Sequence, residues 1–206
     1  MLFIARKILI LFTLLLISLN SIAAEKILVL GDSLSAGFGI EVKQGWVNLL
    51  QQRLHKLGYD YHVVNASISG NTTSNGLARI SHALATYKPA ITIIELGGND
   101  GLRGFDPKII KKNLAIMIEK VQQSNSKILL LGLRLPLNYG PAYDEKFKAL
   151  YQNLSQHYQI PLVPLFLAGI DDKPALMQND GIHPLAAAQD KMLDNVWIKL
   201  QPLLKK

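Results

Sequence analysis

The 206-residue chain contains no cysteine. This absence excludes disulfide bonds, thiolate metal sites and a cysteine nucleophile. It also excludes a lipid anchor attached to an N-terminal cysteine. A chain of this length buries about 70% of the surface that its unfolded form exposes, so we expect it to fold without covalent cross-links.

The sequence also lacks an apolar run long enough to span a membrane, which takes about 20 residues. Its one prominent run, residues 8–17, follows the basic pair Arg6 and Lys7 and precedes small residues that end at Ala24. This order is typical of a cleaved secretory signal peptide, and the alternative is an uncleaved anchor. We predict that residues 1–24 are a signal peptide, that residues 25–206 form a single domain, and that the protein is exported to a bacterial periplasm.

The chain carries only a small excess of positive charge. Residues 1–24 hold two basic and no acidic residues, so the net charge of +7 falls to +5 without them. The basic residues are scattered, and aromatic residues make up only 7% of the chain. This pattern argues against nucleic-acid binding and allows at most peripheral contact with an anionic membrane. We expect a monomer, because no surplus apolar stretch suggests a subunit interface.

Short aliphatic runs alternate with longer amphipathic segments through the rest of the chain. Continuous aliphatic runs are typical of strands buried on both faces of a parallel sheet. Pro107 and Pro184 stand where two of the helices would begin. Five successive strand–helix units predict a three-layer α/β sandwich with right-handed crossovers. The predicted strands are 26–31, 61–66, 91–96, 127–133 and 160–165, and the predicted helices are 45–57, 73–87, 107–123, 143–158 and 184–203.

Small or polar residues follow the first three predicted strands and precede the last helix. Ligands bind beyond the carboxyl ends of the strands in open α/β sheets. Ser33 follows the first strand and is a candidate nucleophile, for which it needs a positioned base. His183 is the one histidine outside the predicted helices and strands, and Asp180 is three residues away, close enough to orient its imidazole.

Each of these residues also suits a different role when it is considered alone. Ser33 suits a helix N-cap, and the glycines around it suggest a phosphate-binding turn, although the spacing matches neither known phosphate motif. The segment around His183 also suits an ordinary turn before a helix. Three groups are candidate donors to an oxyanion: the backbone N–H groups of Ser33 and Gly70, and the Asn99 side chain. Gly70 and Asn99 are equally common in turns.

The segments GDSLSAGFG (31–39), SGNTT (69–73), GGND (97–100) and DGIHP (180–184) resemble, in order, the conserved blocks of the SGNH (GDSL) hydrolases. The resemblance extends over the whole chain after residue 24. It implies a flavodoxin-like sheet in the order 2-1-3-4-5 and no cofactor. It also implies a Ser33–His183–Asp180 triad and an oxyanion hole made by Ser33, Gly70 and Asn99. In this family Asp32 is usually structural.

The predicted reaction is hydrolysis of small-molecule or lipid acyl esters and thioesters, lysophospholipids included, through an acyl-enzyme. Residues 71–77 and 134–143 are expected to line the substrate pocket. In the second loop, Leu135, Pro136, Leu137 and Tyr139 suggest a wall for medium-to-long acyl chains; alternatively, they pack on the core. A carbohydrate acetylesterase and a non-catalytic exported binding module are the competing functions. We expect no metal, because the chain has no HExxH motif and two candidate ligands are too few.

Overall fold

The computed structural model describes residues 24–135 and 140–206. In this part of the chain, five parallel strands form one sheet in the order β2-β1-β3-β4-β5. This confirms the predicted α/β fold and its strand order. The strands are β1 (Glu25–Gly31), β2 (Tyr61–Asn65), β3 (Ile91–Glu95), β4 (Lys127–Leu131) and β5 (Leu162–Val163).

Helices cover both faces of this sheet. Helices α3, α5 and α6 pack beside one another in one layer, and α2 packs beside α7 in the other. Short 3₁₀ turns occur at Val42–Gln44, Pro174–Leu176, Ala186–Ala188 and Gln201–Leu203. The helices are α1 (Ser33–Ala36), α2 (Trp46–Lys56), α3 (Thr73–Tyr87), α4 (Gly98–Leu102), α5 (Pro107–Gln123), α6 (Pro141–Tyr158) and α7 (Gln189–Leu200).

The aliphatic runs form strands because both faces of the sheet are covered. Residues 27–30 of β1 have no solvent exposure, and every residue of β3 is buried. Such burial removes the need for the polar alternation that a half-exposed strand shows. The central strands β1 and β3 therefore form a rigid support for the residues that follow them.

The last helix and the fifth strand differ most from the predicted bounds. The last helix begins at Gln189 rather than Pro184, because Pro184 pairs with Met177 in an antiparallel bridge and residues 186–188 form a 3₁₀ turn. The fifth strand is limited to Leu162–Val163, the two residues that pair with β4.

The predicted signal peptide, apart from Ala24, lies outside the described residues. No helix in 24–135 or 140–206 is long and apolar enough to cross a lipid bilayer.

Candidate active site

Ser33 begins the one-turn helix α1 at the carboxyl end of β1. The N-cap of this helix is Asp32, whose Oδ1 accepts a hydrogen bond from the Leu34 N–H at 3.0 Å. Ser33 is therefore not the N-cap, which was one of its alternative roles. Its hydroxyl is not used for capping and is 2.8 Å from Nε2 of His183, across 150 residues of sequence.

A closed loop fixes His183 opposite Ser33. The Met177–Pro184 bridge joins the two ends of this loop, and the Gln178 N–H donates to the His183 carbonyl at 2.7 Å. The Gln178 side chain also donates to the Pro184 carbonyl at 3.3 Å. These bonds hold the backbone on both sides of the imidazole.

Asp180 binds His183 through both of its carboxylate oxygens. Oδ1 accepts the backbone N–H groups of Ile182 and His183 at 2.9 and 3.0 Å, and Oδ2 lies 2.7 Å from Nδ1 of His183. Burial opposes ionisation, but these hydrogen bonds and the imidazole outweigh it and lower the pKa of Asp180 to about 2. The structure thus brings Ser33, His183 and Asp180 into one hydrogen-bonded row.

Two backbone N–H groups near this row have no acceptor in the part of the chain that the structure describes: those of Ser33 and Gly70.

Arg79 of α3 holds the Gly70 segment against the end of β1. Its guanidinium donates to the carbonyls of Ala66 and Gly31 and to the Asn71 side chain. Burial lowers the pKa of Arg79.

Asn99 lies in the first turn of α4, which begins after a sharp bend at the end of β3. Gly97 makes this bend with a φ of 119°, where a Cβ would collide with the Tyr151 hydroxyl. The Asn99 Nδ2 donates to Oδ2 of Asp32 at 3.0 Å and to the Asn71 carbonyl at 3.1 Å. Donation to an oxyanion therefore requires that one of these two bonds be shared.

A second buried carboxyl lies beneath Asp32. Oε2 of Glu95 accepts the Asp32 N–H at 3.2 Å and the Ser35 hydroxyl at 2.8 Å, while Oε1 has no partner among the described residues. Burial raises the pKa of Asp32 to about 6 despite the hydrogen bonds that it accepts. Burial and the Asp32 charge raise the pKa of Glu95 well above its usual range.

An open cavity of about 410 Å³ lies between α1, α4 and the loops that follow β4 and β5. Leu135 lines it and is also packed on the core, at 3% exposure, so packing on the core does not exclude a place in the cavity wall. Arg134 and Asp171 form an ion pair of 2.8 Å in its wall. The apolar side chains that line it are Leu34, Leu102, Leu133, Leu135, Leu165, Leu167, Met177 and Ile182.

The other substrate-loop predictions have different outcomes. Pro136, Leu137 and Tyr139 lie outside the described residues. The prediction that residues 71–77 line the pocket is wrong for this cavity, since none of them contributes to it. The reason is local: Thr72 and Asn75 form a capping box that turns the chain into α3 at Thr73.

Sequence reasoning missed Phe38, Arg79 and Glu95. The Phe38 ring lies 4.5 Å from the imidazole of His183, measured between ring centroids. Arg79 lies inside helix α3, and Glu95 belongs to β3 rather than to the GGND segment that follows it. A charged residue at the end of a mostly aliphatic strand was the available signal for Glu95.

Comparisons with known proteins identify the family of the chain. Residues 29–191 match the GDSL-like Lipase/Acylhydrolase family. The esterase TesA of Pseudomonas aeruginosa is 53% identical over 182 residues, which cover 88% of this chain and 90% of that protein. The thioesterase 1/protease 1/lysophospholipase L1 of Escherichia coli K12 is 42% identical over 191 residues, which cover 93% and 90%.

A solved structure is similar as well. The psychrotrophic esterase EstA from Pseudoalteromonas sp., in a crystal structure inhibited by monoethylphosphonate, superposes with a TM-score of 0.83 at 38% identity. The match covers 86% of this chain and 97% of EstA. The family match, the sheet order and the relatives agree: the chain belongs to the GDSL-like lipase/acylhydrolase family, the SGNH hydrolases, and it is a hydrolase of ester and thioester bonds.

Proposed function

We propose that this hydrolase is an exported enzyme that cleaves esters and thioesters of medium-to-long acyl chains through an acyl-enzyme on Ser33. The observation that carries the proposal is the row of contacts from the Ser33 hydroxyl to Nε2 of His183, at 2.8 Å, and from Nδ1 to Asp180, at 2.7 Å. A serine hydroxyl becomes a useful nucleophile when a base is placed at such a distance.

Each residue of the row has one task. His183 takes the hydroxyl proton as Ser33 attacks the acyl carbon, and it gives that proton to the departing oxygen or sulfur. Water, activated by the same imidazole, then releases the acid and restores Ser33. Asp180 keeps the proton of the neutral imidazole on Nδ1 and stabilises the cation that forms during each step.

The negative oxygen of the tetrahedral intermediate needs preorganised donors. The N–H groups of Ser33 and Gly70, which have no acceptor among the described residues, are two of them. The Asn99 amide is the third, and it acts by sharing one of the bonds that it makes to Asp32 and to the Asn71 carbonyl. A single such donor is typically worth about 3 kcal/mol of the barrier.

The leucine-lined cavity supports a preference for longer acyl chains. Its apolar wall favours the transfer of each additional CH₂ group from water by about 0.8 kcal/mol. An acetyl group would leave most of this wall unused, which argues against the carbohydrate acetylesterase alternative. The names of the relatives, an esterase and a thioesterase/lysophospholipase, support the same substrate class.

A chain-length profile tests the proposal. We expect kcat/KM on p-nitrophenyl esters to rise from acetate to octanoate, because longer chains bury more surface in the cavity. Ser33→Ala should lower the rate on the best ester by about 10⁴-fold or more, because the members of a triad act as a unit.

Ser81→Ala is the matched control, since Ser81 lies on the α3 surface and accepts a hydrogen bond from Lys120. It should retain the wild-type rate. Highest turnover on acetate would contradict the acyl-chain preference. Retention of full activity in Ser33→Ala would show that Ser33 is not the nucleophile.

We also propose that the signal peptide is removed and that the mature enzyme acts in a bacterial periplasm. Acyl-CoA is scarce outside the cytoplasm, so lipid and simple esters are the substrates that such an enzyme would meet. N-terminal sequencing of the mature protein should find a start at Ala24 or Glu25. A protein that begins at Met1 in the membrane fraction would contradict export with cleavage.

A further inference from the structure

Phe38 lies beside the catalytic row on a backbone that is held at both ends. Gly37 ends α1 in the left-handed conformation at a φ of 77°, and this turn reverses the chain. The Phe38 N–H donates to the Ser33 carbonyl at 3.1 Å, and its own carbonyl accepts the Gln178 side chain at 2.8 Å. Phe38 is therefore tied to both segments that carry the nucleophile and the imidazole.

The Phe38 ring is not buried by these contacts. It remains 50% exposed, while its centroid lies 4.5 Å from that of the His183 ring at an interplanar angle of 40°. A half-exposed aromatic ring next to a reacting imidazole offers an apolar surface to whatever binds there. The fold leaves this surface open although a large apolar group favours burial.

The position of the ring separates it from the acyl cavity. Leu34 of α1 and Ile182, next to His183, line that cavity, whereas Phe38 does not. In the acylation step the Ser33 Oγ–carbon bond forms, the bond from that carbon to the leaving oxygen breaks, and Nε2 of His183 transfers its proton to that oxygen. The leaving oxygen must therefore approach the imidazole, and Phe38 is an aromatic side chain in contact with that imidazole.

We propose that Phe38 is a specificity-determining residue for the leaving group. Its ring favours esters whose departing alcohol carries an aromatic or other bulky apolar group. This inference rests on the proposed function, because it assigns a side of the same acyl-enzyme reaction. It concerns acylation alone: after the alcohol has left, every ester of one acid gives the same acyl-enzyme.

Benzyl octanoate and ethyl octanoate test this assignment. The two esters share the acyl group, and their alcohols have similar basicity, so a difference between them reports contact with the leaving group. Both are followed by the octanoate that they release. We expect Phe38→Ala to lower kcat/KM for the benzyl ester about tenfold more than for the ethyl ester, since one aromatic contact is lost. Phe38→Tyr, which keeps the ring, should preserve the preference.

Phe105→Ala is the control, because Phe105 is another exposed aromatic residue, 41% exposed, on the loop after α4. It should leave the ratio of the two rates unchanged. An equal loss on both esters in Phe38→Ala would show that the ring only supports His183 and would overturn the assignment. No loss on either ester would overturn it as well.

A separate measurement distinguishes failure of this inference from failure of the proposed function. Labelling with an organophosphonate, followed by peptide mapping, should identify Ser33 as the modified residue in wild type and in Phe38→Ala. If Ser33 is labelled and the two esters respond alike, the leaving-group assignment alone is wrong. If another residue is labelled, the proposed nucleophile is wrong.

Discussion

At the scale of single residues, Asp180 shows how a short segment sets the protonation state of the histidine that we propose as the base. Its two oxygens accept the backbone of Ile182 and His183 and contact the imidazole Nδ1. With a pKa of about 2, the carboxylate stays ionised throughout the pH range in which a protein of this kind is assayed. A carboxylate can only accept at Nδ1, so the proton stays on Nδ1 and Nε2 is left as the base.

We therefore expect Asp180→Asn to lower kcat by about 10²–10⁴-fold with little change in KM. The amide can present an N–H to Nδ1, which favours the tautomer with its proton on Nε2 and removes the base that faces Ser33. Steady-state kinetics on one p-nitrophenyl ester measures both parameters.

Asp60→Asn serves as the control for this substitution, because Asp60 is exposed and precedes β2, at the opposite edge of the sheet. Its kcat should match the wild type. A kcat for Asp180→Asn within threefold of wild type would contradict the role given to Asp180.

At the scale of elements, the ends of the neighbouring strands β1 and β3 place two carboxyl groups in one buried space. Asp32 follows β1 and Glu95 ends β3, with exposures of 2% and 0%. The Asp32 carboxylate caps α1 and binds Asn99, while Glu95 fixes the Asp32 backbone. Two like charges this deeply buried disfavour each other, so we infer that the pair retains a proton where isolated carboxyl groups have lost theirs.

This retained proton makes stability depend on pH in a definite direction. The pKa of Asp32 is raised by burial from about 4 in the unfolded chain to about 6, and that of Glu95 is raised well above its usual value. At a pH between the unfolded-state and folded-state pKa of either carboxyl group, the folded protein binds more protons than the unfolded chain. The stabilisation of the folded state by these protons is therefore complete below about pH 4 and is lost as the pH rises through the folded-state pKa values.

We expect Glu95→Gln to reduce the loss of unfolding free energy that accompanies a rise in pH from 4 to 7. The glutamine keeps an oxygen for Ser35 and the Asp32 N–H but has no proton to lose. Urea unfolding at several pH values measures the slope. Glu145→Gln, on the exposed surface of α6, should leave the slope unchanged. A Glu95→Gln slope equal to that of wild type would show that Glu95 is not protonated in the folded protein.

At the scale of the whole molecule, the strand order decides which loops meet. β1 lies between β2 and β3, so the segments after these three strands are neighbours at the carboxyl edge. They carry Ser33, Gly70 and Asn99. The loop before α7 contributes His183 from the other end of the chain. The two nitrogens of its imidazole contact the Ser33 hydroxyl and the Asp180 carboxylate and so complete the row.

Elements with local start and stop signals were predicted well. Helix α3 begins at Thr73 after a capping box, and helix α5 begins with Pro107 after the Asp106 cap, and both cover the predicted residues. The start of α7 was predicted wrongly, because the same Asp-Pro or His-Pro pattern also fits a residue in a bridge. The bridge to Met177 closes a short loop, and the Pro at position 184 does not distinguish this bridge from a helix start.

The sequence by itself determined the parallel α/β class, through aliphatic runs that only a sheet covered on both faces can bury, and it marked Ser33, Gly70, Asn99, Asp180 and His183 as a group. The local sequence was sufficient for this, because the types of neighbouring residues indicate where strands end and where turns occur. Only the tertiary structure decided which groups touch: Phe38 against the imidazole, Arg79 against the Gly70 segment, and Glu95 beneath Asp32. The contacts of Phe38 and Glu95 join residues distant in sequence, and packing, not local propensity, sets them.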